Sequence, residues 1–155
     1  MLNQDLSTVD TVIKTGNVMV DAILNSKLSM MKEKNIHIDV TAIVPSEGTF
    51  SGIDVSVLIG NLLDNAMEAC VKQENEDNRF IRIYIDIVKK QLYIAITNSM
   101  DGRAKKAGMK YLSSKGGIHG FGLLRIDGIV RKYGGFINRQ NEEGVFATEV
   151  MLPII

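Results

Sequence analysis

At 155 residues, 45% of them hydrophobic, the chain has the size of one domain and enough apolar surface to bury a core, which excludes disorder along its whole length. Eighteen Lys and Arg balance eighteen Asp and Glu, so there is no overall field to draw in nucleic acid or an anionic membrane, and any anion site has to be local. A single cysteine, Cys70, excludes a disulfide framework and a zinc site of several thiolates, and on an apolar helix face it reads as a small buried hydrophobe. With no run of about 18 apolar residues and no signal-peptide order at the N-terminus, the chain is expected to be soluble and cytoplasmic.

In chain order, Val20, Ile23, Leu24, Leu28 and Met31 recur at helical spacing and predict a helix over 18–35, with Gly16 and Asn17 at its start. The period then changes to two: Ile36, Ile38, Val40 and Ala42 alternate with His37, Asp39 and Thr41, which predicts a strand with one wet face. After a turn-rich connector, Val55, Leu58, Ile59, Leu62, Leu63, Ala66 and Cys70 form the apolar stripe of a second helix from Ile53 to about Gln73. Asn61, Asp64, Asn65 and Glu68 are expected to share that helix's polar face. An acidic loop at 74–78 leads to a hairpin that turns around Lys89 to Gln91, with Ile81, Ile83, Ile85 and Ile87 on one arm and Leu92, Ile94 and Ile96 on the other.

The fourteen glycines against two prolines are the odd item of composition, and six of them fall between Gly102 and Gly122. Residues 98–117 show no sustained period and carry Arg103, Lys105, Lys106, Lys110 and Lys115, a long basic loop. A helix is expected from about Phe121 to Tyr133, stopped by Gly134 and Gly135, followed by strands near 136–140 and 145–152 around a turn at Glu143 and Gly144. The order predicts a two-layer α/β sandwich, its mixed sheet covered on one face by helices.

Chemistry concentrates at two places. His119-Gly120-Phe121-Gly122-Leu123 is expected where the loop enters a helix, whose unpaired N–H groups and partial positive charge suit an anion that glycine lets approach closely. Neither a P-loop nor a dinucleotide fingerprint is present. Asn61 and Asn65, one turn apart in mid-helix, are indifferent helix formers that border either solvent or a cleft. Their carboxamide oxygens are hard donors of the kind Mg²⁺ accepts alongside nucleotide phosphates.

Three stretches together resemble a known superfamily. Asn61-Leu62-Leu63-Asp64-Asn65-Ala66-Met67-Glu68-Ala69 is similar to the N box of the GHKL ATP-binding domains, Ile96-Thr97-Asn98-Ser99-Met100-Asp101-Gly102 to the G1 box, and His119-Gly120-Phe121-Gly122-Leu123-Leu124 to the G2 box. Order and spacing fit over about residues 36–153, and the details resemble the peptide-sensing histidine kinases of the AgrC and VirS type. The resemblance implies a Bergerat-type ATP-binding fold. It also implies Mg²⁺ and phosphate contacts from Asn61 and Asn65, with Asn98 facing the adenine amino group, Gly102 admitting the adenine, and Gly120 and Gly122 at the phosphates. Lys115 would be a phosphate cation at the end of a lid, while His119, Phe121 and Leu123 would belong to the same nucleotide-binding stretch.

Two departures from the pattern matter. Asparagine replaces the frequent aspartate at position 98, and Met100 stands where the first glycine of the box belongs; an asparagine oxygen still accepts from an amino group, without charge assistance. ATP-hydrolysing relatives carry a glutamate general base four residues before the Mg²⁺ asparagine, where this chain has Asn61, which takes no proton. Hydrolysis is thereby disfavoured, and phosphoryl transfer by positioning and charge stabilisation is favoured.

The implied function is the catalytic domain of a sensor histidine kinase that presents the ATP γ-phosphate to a histidine on an upstream helical hairpin. Residues 1–35 would be the end of that hairpin and 36–155 the ATP-binding domain. Neither His37 nor His119 suits the acceptor role, so the isolated chain is expected to bind nucleotide without phosphorylating itself. A response regulator would follow downstream, and the full-length protein would be a homodimer, with this chain the cytoplasmic part of a membrane-anchored sensor. The rival expectations are a nucleotide-responsive interaction module and a GHKL ATPase.

Overall fold

A computed structural model of the protein describes residues 3–5, 12–45, 50–102 and 117–154, with backbone alone for 3–5 and 117–121. In chain order the elements are β1 (Asn3–Asp5), α1 (Val18–Glu33), β2 (His37–Ala42), α2 (Gly52–Val71), a 3-10 turn (Glu76–Asn78), β3 (Phe80–Val88), β4 (Gln91–Ser99), α3 (Gly117–Lys132), β5 (Phe136–Glu142) and β6 (Val145–Pro153). The six strands form one sheet in the order β1-β2-β3-β4-β6-β5. Only β2 and β3 run parallel, and α2 makes the crossover that a parallel pair requires.

All three helices lie on one face of the sheet, α1 over β2, α2 over β3 and β4, and α3 over β5 and β6, with α2 packed between the other two. Period-two alternation aims Ile81, Ile83, Ile85, Leu92, Ile94, Ile96, Val150 and Leu152 into that layer, where they meet Leu24, Met31, Leu58, Ile59 and Leu63 from the helices. Each such side chain, fully removed from water, contributes roughly 1.5–3 kcal/mol. The two-layer sandwich expected from the element order is the fold observed.

The termini of the helices explain their positions. Asn17 caps α1 by accepting from the Val20 N–H at 3.2 Å, and its own amide donates to Pro45 O at 2.9 Å. Ser51 caps α2 through the Asp54 N–H. At the far end of α3, Gly134 adopts φ +65°, with N–H bonds from Gly135 to Val130 O and from Gly134 to Arg131 O, a Schellman closure that turns the chain into β5. Asn35, at φ 59°, closes α1 by the same pair of bonds, from Ile36 to Met31 O and from Asn35 to Lys32 O. This ends α1 two residues before the boundary that periodicity suggests.

Three differences from the expectations concern where elements lie. Residues 3–5 add an edge strand to β2, and α1 buries Val20, Leu24, Leu28 and Met31 in the same core as α2. The segment before α1 is strapped on by side chains: Asn25 exchanges two hydrogen bonds with the Ile13 backbone, and Asp21 accepts from the Thr15 N–H at 2.7 Å. Asn98 and Ser99 finish β4 instead of opening a loop, because their backbones stay paired to β3 and β6. Lastly, α3 begins at Gly117, so the glycine-rich stretch is helix and not a loop entering one; packing of α3 on α2 outweighs the poor helix propensity of glycine.

Candidate functional site

Along β4 the core-facing series runs Leu92, Ile94, Ile96 and then Asn98, which is only 3% exposed. A carboxamide thus occupies a position where alternation calls for an apolar side chain, and a buried polar group has to be satisfied. Its Nδ2 donates to the Ser99 carbonyl at 2.9 Å, while among the described residues nothing donates to its Oδ1. That oxygen is left as a free acceptor on a residue that lines an open cleft.

Two helices and the sheet supply the walls. Helix α2 contributes Leu62, Asn65, Ala66 and Ala69, α3 contributes Leu123 and Ile126, and the sheet contributes Ile96, Asn98, Phe146, Thr148 and Arg139, with Met100 just past β4. Strand register explains the sheet residues: Asn98 lies opposite Phe146, Ile96 opposite Thr148, and Thr148 opposite Arg139, so all share the helix-facing side. The cleft is mainly apolar with a few converging polar groups, the general character of a small-molecule site.

The end of β4 is held firmly. Ser99 Oγ donates to Gln73 Oε1 and accepts from the Phe80 N–H at 2.8 Å, joining β4 to α2 and β3. Cys70, as buried as expected, donates its thiol to Phe80 O at 3.3 Å, and burial pushes its pKa up, which keeps it protonated. Beyond the strand, Met100 N–H donates to Gly144 O, Gly144 N–H to Gly102 O, and Glu74 N–H to the Asp101 carboxylate. Gly102 sits at φ +66°, where a Cβ would be strained although open space surrounds it.

The polar residues Asn61, Asp64, Asn65 and Glu68 share the outer face of α2, and their side chains reach to both sides of it. Asp64 turns toward α1 and pairs with Lys27 at 2.7 Å, and Glu68 lies 4.0 Å from Lys72. Asn61 and Asn65 turn the other way, toward α3. Asn61 Nδ2 donates to Val57 O at 2.8 Å, and its Oδ1 stands 3.4 Å from where a Cβ on Gly122 would be, so the missing side chain at 122 leaves room for that oxygen. Asn65 lines the cleft and makes no hydrogen bond among the described residues. Because α2 has a neighbouring helix on each flank, the side chains at the two edges of this face reach opposite ways, Asp64 to Lys27 on α1 and the asparagines toward α3.

A family model for the GHKL domain matches residues 50–153, a span that includes the cleft, Asn61, Asn65, Asn98 and α3. The chain belongs to the GHKL domain family. It is also 28% identical over 131 residues to the sensor protein CitS of Bacillus subtilis (strain 168), a match that covers 80% of this chain and 24% of CitS. The chain thus spans about a quarter of that relative's length. The catalytic domain of histidine kinase ThkA superposes with TM-score 0.65 at 18% identity, covering 99% of this chain and 98% of the other. The Acinetobacter baumannii histidine kinase AdeS does so with TM-score 0.64 at 15% identity, covering 88% and 64%. At those identities the two structures speak for the GHKL fold alone.

Within the GHKL frame, Asn65 of the N box and Asn98 of the G1 box line one cleft, Asn61 lies one turn before Asn65 on α2, and Leu123 of the G2 box, 7% exposed, closes the cleft from α3. Gly122 packs against Asn61. His119, Gly120 and Phe121 fall in the first turns of α3, where backbone alone is described, and Lys115 and the proposed lid lie outside the described residues. Sequence reasoning missed Met100, Ile126, Arg139, Phe146 and Thr148. A signal for two of them existed: Arg139 and Thr148 interrupt the inward-facing series of β5 and β6, as Asn98 does on β4.

Proposed function

We propose that this GHKL domain binds ATP and serves as the catalytic domain of a sensor histidine kinase. The observation that carries the reading is Asn98: a buried carboxamide whose nitrogen is already engaged presents its oxygen to the cleft, which suits the 6-amino group of adenine and not the 6-oxo group of guanine. The apolar walls from Ala66, Ile96, Ile126 and Phe146 suit the faces of a base. Asn65 and Asn61 then stand on the α2 side, toward the start of α3, whose first N–H groups have no partner within the helix.

The donor set fits Mg²⁺ held jointly with phosphates. Among the described residues no group of three or more His, Cys, Asp and Glu could hold a metal, so the ion would rest on carboxamide oxygen and on the nucleotide itself. Bound there, Mg²⁺ would neutralise charge on the phosphates. Asn65, with its side chain uncommitted, is the better ligand; Asn61 is partly spent on Val57 and orients its oxygen beside Gly122. Gly120, Gly122, His119, Phe121 and Lys115 keep the phosphate-side roles that the G2 resemblance implies.

Asn61 also decides the reaction type. At the position of the general base in hydrolytic relatives it offers an amide whose N–H is donated to the helix backbone, and no proton acceptor for water results. Transfer to a side chain requires only positioning and charge stabilisation. The acceptor histidine is proposed on a segment other than those described: His37 is exposed on β2 and His119 belongs to α3 itself. In that arrangement residues 1–35, with Val12 and Val18 exposed by 68% and 83%, are the join to the acceptor segment. A response regulator would receive the phosphate, and the intact kinase would be a homodimer whose kinase part is cytoplasmic. Among the described residues no helix is long and apolar enough to cross a membrane. The finer kinship with the AgrC and VirS type rests on the Asn98-Ser99 pair.

Isothermal titration tests the reading. ATP with Mg²⁺ should bind, GTP should bind at least about tenfold more weakly because the Asn98 oxygen faces a second acceptor, and γ-labelled ATP should leave no acid-labile phosphate on the chain alone. Equal affinity for GTP would remove the argument from Asn98. Steady phosphate release abolished by Asn65→Ala would convert the reading to an ATPase.

A further inference from the structure

Among the described residues Arg139 is the one charged side chain lining the cleft, and the roles given to Asn98, Asn65 and Asn61 do not involve it. It faces the helices from β5, opposite Thr148, with 17% of its side chain exposed. Its Nη2 donates to Asp127 Oδ1 on α3 at 2.8 Å, and among the described residues no other acceptor takes any of its remaining donors. A guanidinium has five N–H donors in a fixed fork, and with Asp127 as its one partner Arg139 keeps donors open toward the cleft it lines. As a plain ion pair with a 41% exposed carboxylate it would be a weak strut.

The register supplies the ligand geometry. Asn98, Phe146 and Asn141 form one row across β4, β6 and β5, and Arg139 lies two residues along β5 from that row. Two strand spacings and two residue rises put the Cα atoms of Asn98 and Arg139 about 12 Å apart. A flat base with a hydrogen bond at each of two edges suits such a span. Asn98 provides the acceptor at one edge and Arg139 only donors at another, where a purine carries ring nitrogens.

We propose that Arg139 is a base-contacting residue of the nucleotide site, its guanidinium donating to a ring nitrogen of the purine, with Asp127 as the positioning residue that aims it. The inference rests on the nucleotide reading and adds a second specificity determinant to Asn98. Purine acceptors at positions 1, 3 and 7 are the candidates, and the deazapurines, in which one ring nitrogen becomes a C–H, separate them.

The experiment titrates the whole chain, by calorimetry with Mg²⁺, with ATP and its 1-deaza, 3-deaza and 7-deaza analogues. One analogue should bind the unmodified protein roughly ten- to hundredfold more weakly than ATP, the loss expected for a hydrogen bond from a charged donor. Arg139→Met should weaken ATP by a similar factor and bind that analogue as well as it binds ATP, because the penalty exists only when both partners are present. Asp127→Asn should reduce the same ratio severalfold with thermal stability kept. If the Met variant is poorly folded, Arg139→Lys, which keeps the charge and loses the fork, should still shrink the ratio. The proposal is overturned if all three analogues bind like ATP, or if the Met or Lys substitution leaves the ratio as it was. Absence of any ATP binding by the unmodified chain would bring down the nucleotide reading, and this inference with it.

Discussion

The pair α2 and α3 is tied at one end and parted at the other. At the tied end Asp54 accepts from Tyr133 Oη at 2.6 Å and Lys132 Nζ at 2.7 Å, Tyr133 Oη accepts from the Ser51 N–H, and Phe50 packs edge-on against the Tyr133 ring. At the parted end Asn65 and Leu123 line the cleft and Asn61 faces Gly122 beside it, where a glycine replaces a side chain. The same two helices thus carry cohesion in one half and recognition in the other. The lesson is that polar groups bonded across the two helices hold them together, whereas Asn65, with no partner among the described residues, is free for the proposed ligand.

Substitutions should respect that division. The largest effect belongs to Asn65→Ala at the parted end, expected to lower Mg²⁺-ATP affinity on the order of a hundredfold by calorimetry, with the thermal midpoint unmoved because the residue supports no neighbour. Tyr133→Phe at the tied end should do the reverse: it removes the hydroxyl shared by Asp54 and Ser51, costs about 1 kcal/mol in urea unfolding, and leaves nucleotide affinity unchanged. Loss of binding in that variant would mean the two ends are coupled.

Gly122→Ala sharpens the contrast within one residue. Alanine favours the helix by up to about 1 kcal/mol, and its methyl would meet Asn61 Oδ1 in ordinary contact at 3.4 Å while filling the space beside it, so unfolding should need slightly more denaturant while ATP affinity falls severalfold. The smallest effect is one of pH. Hydrogen bonds from Lys132 and Tyr133 hold Asp54 below the usual carboxylate range. Its contribution is therefore present above the unfolded value of about 3.9 and is lost as pH falls through the lower folded value. Asp54→Asn should flatten the stability profile in that acid window, as read by urea titrations from pH 7 downward, and leave the cleft indifferent.

Most of the scaffold was legible because apolar period survives packing. The stripe from Val55 to Cys70 and the alternations of β3 and β4 could bury themselves in no other way, and Gly134 marked a stop that only left-handed backbone explains. What stayed hidden depended on neighbours distant in sequence. Nothing in Asn3–Asp5 announces a strand, since its pairing comes wholly from β2. Gly117 to Gly122 look like loop to any local rule, and packing makes them helix. Of the site, Asn61, Asn65 and Asn98 could be named from their motifs, whereas Arg139 and Thr148 required the strand register. Helical geometry set Asp64 beside the asparagines, but its partner Lys27, 37 residues earlier, could be seen only once α1 was packed on α2.

The pairing of β4 on both sides has a consequence for how occupancy can be observed. Its residues from Gln91 to Asn98 have partners on both β3 and β6, so their amides should exchange with deuterium only on global opening, with or without nucleotide. The strand that bears Asn98 would be a silent reporter. Filling the cleft should instead slow exchange along α3, whose Leu123 and Ile126 rest on the cleft rather than on another strand. Deuterium uptake resolved to α3 would therefore register ligand, and β4 would serve as the internal standard.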